Sequence, residues 1–225
     1  MDTSNIILVG PPGAGKGTQA IMLREKLDAL YISTGDLFRS HLSNETDLGN
    51  EAQKYMSAGE LVPDTLTINM LSQELEKKSD DHGFILDGFP RNVVQADALS
   101  ELLDRKDLSI DVVLFFNVPN DELVRRLSTR YTCTVCQAPH NVDQTKSTPT
   151  SKCNLDRTKL AFVECEGELY QRSDDAPEAI KRRLDVYDEE TKPILNYYEE
   201  QNLLTEINSV GSVEEVFTRV EGALQ

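Results

Sequence analysis

No apolar run in this 225-residue chain approaches the roughly 18 residues of a membrane span. A basic leader and a small-residue cleavage site are also missing. The chain enters its first apolar segment almost at once, within MDTSNIILVG, so a cytoplasmic protein is expected, neither secreted nor imported into an organelle. Positive charge is scarce: 23 Lys and Arg stand against 39 Asp and Glu, a formal charge of −16. Such a surface argues against broad contact with nucleic acid or an anionic membrane. It leaves room for a small anionic ligand where a few cations gather in one cleft. Cysteine is absent apart from Cys133, Cys136, Cys153 and Cys165, all in one short stretch. In a cytoplasmic protein that clustering reads as metal before disulfide. Internal repeats and low-complexity tails are lacking, and nothing marks an oligomer interface, so a monomer is expected.

What is present is an alternation. Ile6 to Val9 is a short apolar run suited to a strand buried on both faces. A glycine-rich loop follows, and then Ala20, Leu23, Leu27 and Leu30 recur at helical spacing. Further strands are expected at Tyr31–Ile32, Phe84–Leu86, Asp111–Val118 and Leu203–Ile207. Helices are expected at Asp64–Lys77, Gln95–Asp104, Asp121–Arg130 and Pro177–Glu200. Strands alternating with helices imply an α/β fold, a parallel sheet covered on both faces. Ligands then bind beyond the carboxyl ends of the strands. Two stretches fall outside the alternation and read as insertions: a helical, polar one from Ser33 to Val62, and one from Tyr131 to Gln171 that carries the cysteines.

The loop reads GPPGAGKGTQ from Gly10 to Gln19. Gly10, Gly15 and Lys16 match the phosphate-loop pattern, but Gly17 stands where a Ser or Thr is usual and the hydroxyl comes one place later, at Thr18. Loop amides and the following helix N-terminus would cradle phosphate, with Lys16 as a point charge. The missing hydroxyl points to magnesium held through water by carboxylates, for which Asp87 and Asp36 are the choices. STGDLFRS, from Ser33, taken alone is an N-cap followed by a helix, with Arg39 one turn beyond Gly35 and Asp36. DGFPR, Asp87 to Arg91, is a turn at a strand end whose arginine could fork onto a phosphate. Arg126 and Arg130 are four apart on one expected helix, Arg172 precedes Asp174 and Asp175, and Arg183 follows. Arginines on helices are usually solvated, and Arg125 and Arg182 read that way.

GPPGAGKGTQA, STGDLFR, GELVPD, FILDGFPRNVVQAD and LYQRSDD followed by IKRRLDVYDEETKPILNYY resemble the adenylate kinases in their long-lid form, in order and over nearly the whole chain. The family's loop also reads Gly-Lys-Gly-Thr. The resemblance implies a phosphate-loop fold whose core, residues 1–32, 63–130 and 172–225, holds a five-stranded parallel sheet. It also implies an AMP-binding lobe at 33–62 and a lid at 131–171. Gly13, Ala14, Gly15, Lys16, Gly17 and Thr18 would hold ATP, with Arg126 and Arg130. Thr34, Gly35, Arg39, Glu60, Leu61, Val62, Gly88, Arg91 and Gln95 would hold AMP. Arg172 and Arg183 would clamp the transferred phosphate, making Lys16, Arg91, Arg126, Arg172 and Arg183 the catalytic set. A cis peptide before Pro90 is implied as well. Lids of this kind carry structural zinc, implying Cys133, Cys136, Cys153 and Cys165 as ligands. The insertion after Cys153 makes Asp156 the alternative fourth ligand. The expected partners are ATP, AMP and ADP. A GTP:AMP phosphotransferase and a non-catalytic nucleotide sensor are the alternatives; loss of the clamp arginines would mark the sensor, and none is lost.

Overall fold

In a computed structural model of the chain, residues 4–77, 82–135, 139–141, 153 and 167–224 are described. Among them, strands β1 (Ile6–Val9), β2 (Leu30–Ser33), β3 (Phe84–Asp87), β4 (Val112–Asn117) and β8 (Leu204–Asn208) form a five-stranded sheet in the order β2-β3-β1-β4-β8. Every pairing in it is parallel, with Ile7 opposite both Leu86 and Val113. The sheet places β1 at its centre, so the loops after β1 and β3 leave from the same end. Alternate residues of β1 feed opposite layers. Ile7 and Val9 join one apolar cluster with Phe84, Leu86 and Leu103. Ile6 and Leu8 join another with Leu23, Phe116 and Val220. A strand buried on both faces has no polar side to show, which is why its sequence is a continuous apolar run.

The flanking helices are α1 (Lys16–Leu27), α4 (Asp64–Leu75), α5 (Val93–Asp104), α6 (Asn120–Ser128), α7 (Pro177–Val186), α8 (Pro193–Glu199) and α9 (Val213–Ala223). Among the described residues, no helix is long and apolar enough to cross a membrane. Helices α2 (Thr34–Ser43) and α3 (Asp47–Ala58) lie between β2 and α4, and Phe38, Ala52, Val62 and Met70 of α4 form a small apolar cluster there. Ser33 caps α2 by accepting from the Asp36 N–H (3.2 Å), as the STGD sequence suggests. Strands β5 (Arg130–Cys133), β6 (Pro139–Asn141) and β7 (Leu169–Tyr170) make a separate antiparallel sheet in the order β6-β5-β7.

Three expectations need correction. Leu30 continues the helical spacing of α1 but opens β2, because Asp28 turns into the left-handed region (φ 50°) and ends the helix. Arg126 and Arg130 do not share a helix. The Thr129 hydroxyl donates to the carbonyl of Arg125 (2.9 Å), the helix stops at Ser128, and Arg130 starts β5. The expected helix over 177–200 is interrupted by a π-helical turn, Tyr187–Thr191, before Pro193 starts α8.

Candidate functional site

The glycine loop joins β1 to α1 and needs its glycines. Gly10 (φ 152°) passes so close to β4 that a Cβ there would lie 2.8 Å from the Phe116 carbonyl oxygen. Gly15 (φ 93°) holds a left-handed turn in front of Lys16, the first residue of α1. The Lys16 ammonium donates to the carbonyls of Gly10 (2.6 Å) and Pro11 (3.0 Å). Burial, helped by Arg91, Arg183 and Arg130 and opposed by Asp87, pulls its pKa down to about 8. Gly17 also finds its reason. A Cβ at that position would sit 3.3 Å from Asp87 Oδ2, so the carboxylate at the end of β3 approaches the space a Ser or Thr side chain would enter.

Asp87 accepts from the Tyr31 hydroxyl (3.1 Å). Beyond it, Gly88 (φ 78°) and the cis Phe89–Pro90 bond turn the chain, so the cis peptide is present as expected. The Gly88 carbonyl accepts both Arg91 Nε and the Thr34 hydroxyl, each at 2.8 Å. Burial lowers the Arg91 pKa, while Asp87 opposes the shift.

The remaining cations have carboxylate partners. Arg39 pairs with Asp36 one turn earlier. Arg126 donates through Nε to Glu122 (2.7 Å) and through a terminal nitrogen to the Ser209 carbonyl (3.0 Å). Glu122 also binds Arg125. That hydrogen bond first, and Arg126 second, outweigh burial and hold the Glu122 carboxyl at about 2. Arg130 forks onto Asp175 (2.5 and 2.7 Å). Arg172 forks onto Asp174, whose carboxyl lies well below the usual range because Arg183 and Arg172 overcome the cost of burial. Arg183 meets the Asp174 carbonyl (2.8 Å) and Asp175 (3.1 Å); burial pushes its pKa down to about 10. The Arg182 side chain is partly exposed, as its solvated reading expects, and ties α7 to Glu60 at the surface (2.7 Å).

Two cavities open on this network. One, of about 80 Å³, is lined by all the residues expected to hold AMP except Gly88. The other, about 750 Å³, runs from the glycine loop past Arg126 and Arg130, and Asp36, Asp87 and Gly88 line it. Arg39, Arg91, Arg172 and Arg183 line both. Ala14 lines neither; its side chain is fully buried and its carbonyl accepts the Ser209 hydroxyl (2.6 Å). Of the expected zinc ligands, Cys133 and Cys153 are buried, while Cys136, Cys165 and Asp156 lie outside the described residues. Among the described residues no three His, Cys, Asp or Glu side chains gather as a metal site. Sequence reasoning missed Glu122, Tyr31 and Ser209. Only Glu122 left a trace, as the acid four residues before Arg126.

The two cavities share one arginine wall, and one of them opens on the glycine loop. The chain belongs to the adenylate kinase family, whose model matches residues 8–203. It is 47% identical over 223 residues to an adenylate kinase of Streptomyces coelicolor, covering 98% of both chains. It is 44% identical over 220 residues to one of Methanothrix thermoacetophila, again 98% of both. With one of Clostridium botulinum the identity is 42% over 219 residues, 97% of both.

Proposed function

We infer that the chain is an ATP:AMP phosphotransferase, moving the terminal phosphoryl group of ATP reversibly to AMP to give two ADP. One observation carries this reading: Arg39, Arg91, Arg172 and Arg183 stand on the wall common to both cavities. Phosphates entering from the two sides meet there. Phosphoryl transfer spreads charge over the migrating group in a loose transition state, so no side chain needs to attack. The protein aligns donor and acceptor and neutralises charge. In this reading Gly13 to Thr18 receive the triphosphate, Arg126 and Arg130 flank it, and Thr34, Arg39, Gly88, Arg91 and Gln95 receive AMP. Lys16, Arg91, Arg126, Arg172 and Arg183 stabilise the transferred group. The lobes at 33–62 and 131–171 close over a core of 1–32, 63–130 and 172–225, excluding the water that would otherwise hydrolyse ATP.

Asp87 suits magnesium: its carboxylate lines the donor cavity with Lys16, an oxygen donor for a hard cation. Asp36 suits it less, being paired with Arg39. When bound with ATP, magnesium neutralises charge on the phosphate oxygens. Zinc in the lid is proposed on Cys133, Cys136, Cys153 and Cys165, with Asp156 as the alternative to Cys165. The Cys133 sulfur is buried and accepts the Val135 N–H (3.3 Å). The role is structural, in a lid with few apolar residues of its own. The chain is proposed to act as a cytoplasmic monomer.

A coupled assay with a panel of donors and acceptors tests the reaction. ADP from ATP plus AMP is the expected result; none would favour a sensor, and a preference for GTP would move the donor assignment.

A further inference from the structure

The AMP-side cavity contains a hydrogen-bond arrangement that phosphoryl transfer does not itself require. Gln95, in α5, is 1% exposed and lines that cavity. Its amide is engaged at both ends. Oε1 accepts the backbone N–H of Arg91 (2.8 Å), and Nε2 donates to Asp64 Oδ1 (2.7 Å). Asp64 is the first residue of α4. The same carboxylate oxygen accepts Asn92 Nδ2 (3.0 Å), and Asn92 caps α5 by accepting the Gln95 N–H (2.8 Å).

Resting on the functional reading above, we propose that Asp64 fixes which way round the Gln95 amide stands, and so makes the acceptor site demand an amino group rather than a carbonyl at position 6 of the purine. A backbone N–H can only donate, and a carboxylate oxygen accepts. With Arg91 N–H on one side and Asp64 on the other, one amide orientation makes two good bonds. Turned over, it would set NH2 against N–H and carbonyl against carboxylate. An amide has two donor hydrogens and two acceptor lone pairs, and each end has spent one. The remainder is one N–H at Nε2 and one lone pair at Oε1. That pair matches adenine, whose 6-amino group donates and whose ring nitrogen accepts. Hypoxanthine and guanine present the reverse, a 6-carbonyl that accepts beside a ring N–H that donates, and would need the amide turned over. The hydroxyl of Thr67, also on this cavity, donates to the Pro63 carbonyl (3.3 Å) and keeps lone pairs to accept. Asp64 is thus a positioning residue: it acts on the base through Gln95.

Inosine monophosphate differs from AMP only in this edge and is the clean probe. Phosphoryl transfer from saturating ATP to AMP and to inosine monophosphate is measured for the wild type, Asp64→Asn and Asp64→Ser. A polar site built for one hydrogen-bond pattern rejects the mismatched one strongly, so the wild type should favour AMP by about a hundredfold or more in kcat/KM. An Asn or Ser can donate to a turned Gln95 carbonyl, so either variant should lose about tenfold of that preference. The change should lie in KM for the acceptor, with KM for ATP unmoved. Asp64→Ser serves if Asp64→Asn does not fold by circular dichroism. A folded variant with the wild-type ratio overturns the inference, as does a wild type indifferent between the two acceptors. A wild type that phosphorylates neither overturns the functional reading itself.

Discussion

The cations of the cleft fall into two groups that solve burial differently. Lys16 and Arg91, beside the ends of the central strands, donate to backbone carbonyls: Gly10 and Pro11 for one, Gly88 for the other. Arg126, Arg130 and Arg172, around α6 and α7, fork onto or pair with Glu122, Asp175 and Asp174. Burial lowers both Lys16 and Arg91. Arg172 is raised, because Asp174 outweighs burial, whereas Arg39 and Arg183 are lowered by burial in spite of their carboxylates. A carbonyl supplies half a dipole and leaves a buried cation short of compensation, whereas a carboxylate supplies a full opposite charge. The first group is therefore the more strongly primed to receive phosphate. The second is neutralised in advance and must share its carboxylates with an incoming anion.

The largest expected effect tests the first group. Lys16→Met should remove transition-state stabilisation of about 3 kcal/mol or more, roughly a hundredfold in turnover, with folding intact. Near-normal turnover in the coupled assay would end the phosphate-cradle assignment. Next comes the second group. Asp174→Asn leaves Arg172 and Arg183 facing each other without their shared carboxylate, and should lower the stability of the nucleotide-free protein by about 2 kcal/mol. A polyphosphate ligand should restore part of the loss in thermal melts. Equal destabilisation with and without ligand would mean that Asp174 holds structure alone.

The Lys16 pKa of about 8, below its usual 10.5, gives a pH signature. As pH rises above about 8, the proportion of free enzyme with charged Lys16 falls, and kcat/KM for ATP should drop about tenfold per unit. Stability should move the opposite way. Between about 8 and 10.5 the unfolded chain holds more protons at this site, so its contribution makes the fold more stable as pH rises. Lys16→Arg should abolish the drop in activity; a drop that persists belongs to another group. The smallest effect is at Glu122. Its partly exposed pairing with Arg126 is worth little by itself, so Glu122→Gln should raise KM for ATP about threefold and leave KM for AMP alone. In the lid, metal analysis of protein purified without added zinc should find about one zinc per chain. Cys165→Ala should weaken retention and Asp156→Ala should not; the opposite pattern would exchange the two.

The sheet could be read from the sequence because its central strands are buried on both faces and so are uniformly apolar, as in Ile6–Val9. Chain breaks that arise from one backbone angle or one hydroxyl were hidden. Leu30 kept helical spacing across the left-handed Asp28, and Thr129 ended α6 without disturbing its apolar pattern. Helix α9 went unread although Ser212 and Glu215 form a capping box at its start. The nucleotide cleft was legible as motifs. The partners that hold those motifs were not, because Ser209 meets Ala14, and Asp64 meets Gln95, only through the fold.

Gly17 and Asp87 carry a consequence for anyone who would redesign this loop. The serine or threonine of the ordinary phosphate loop cannot be restored at position 17 without crowding an oxygen 3.3 Å from the new Cβ. The glycine and the aspartate, 70 positions apart, meet only in the fold, so any side chain added at position 17 has to be matched by a shift of the Asp87 carboxylate.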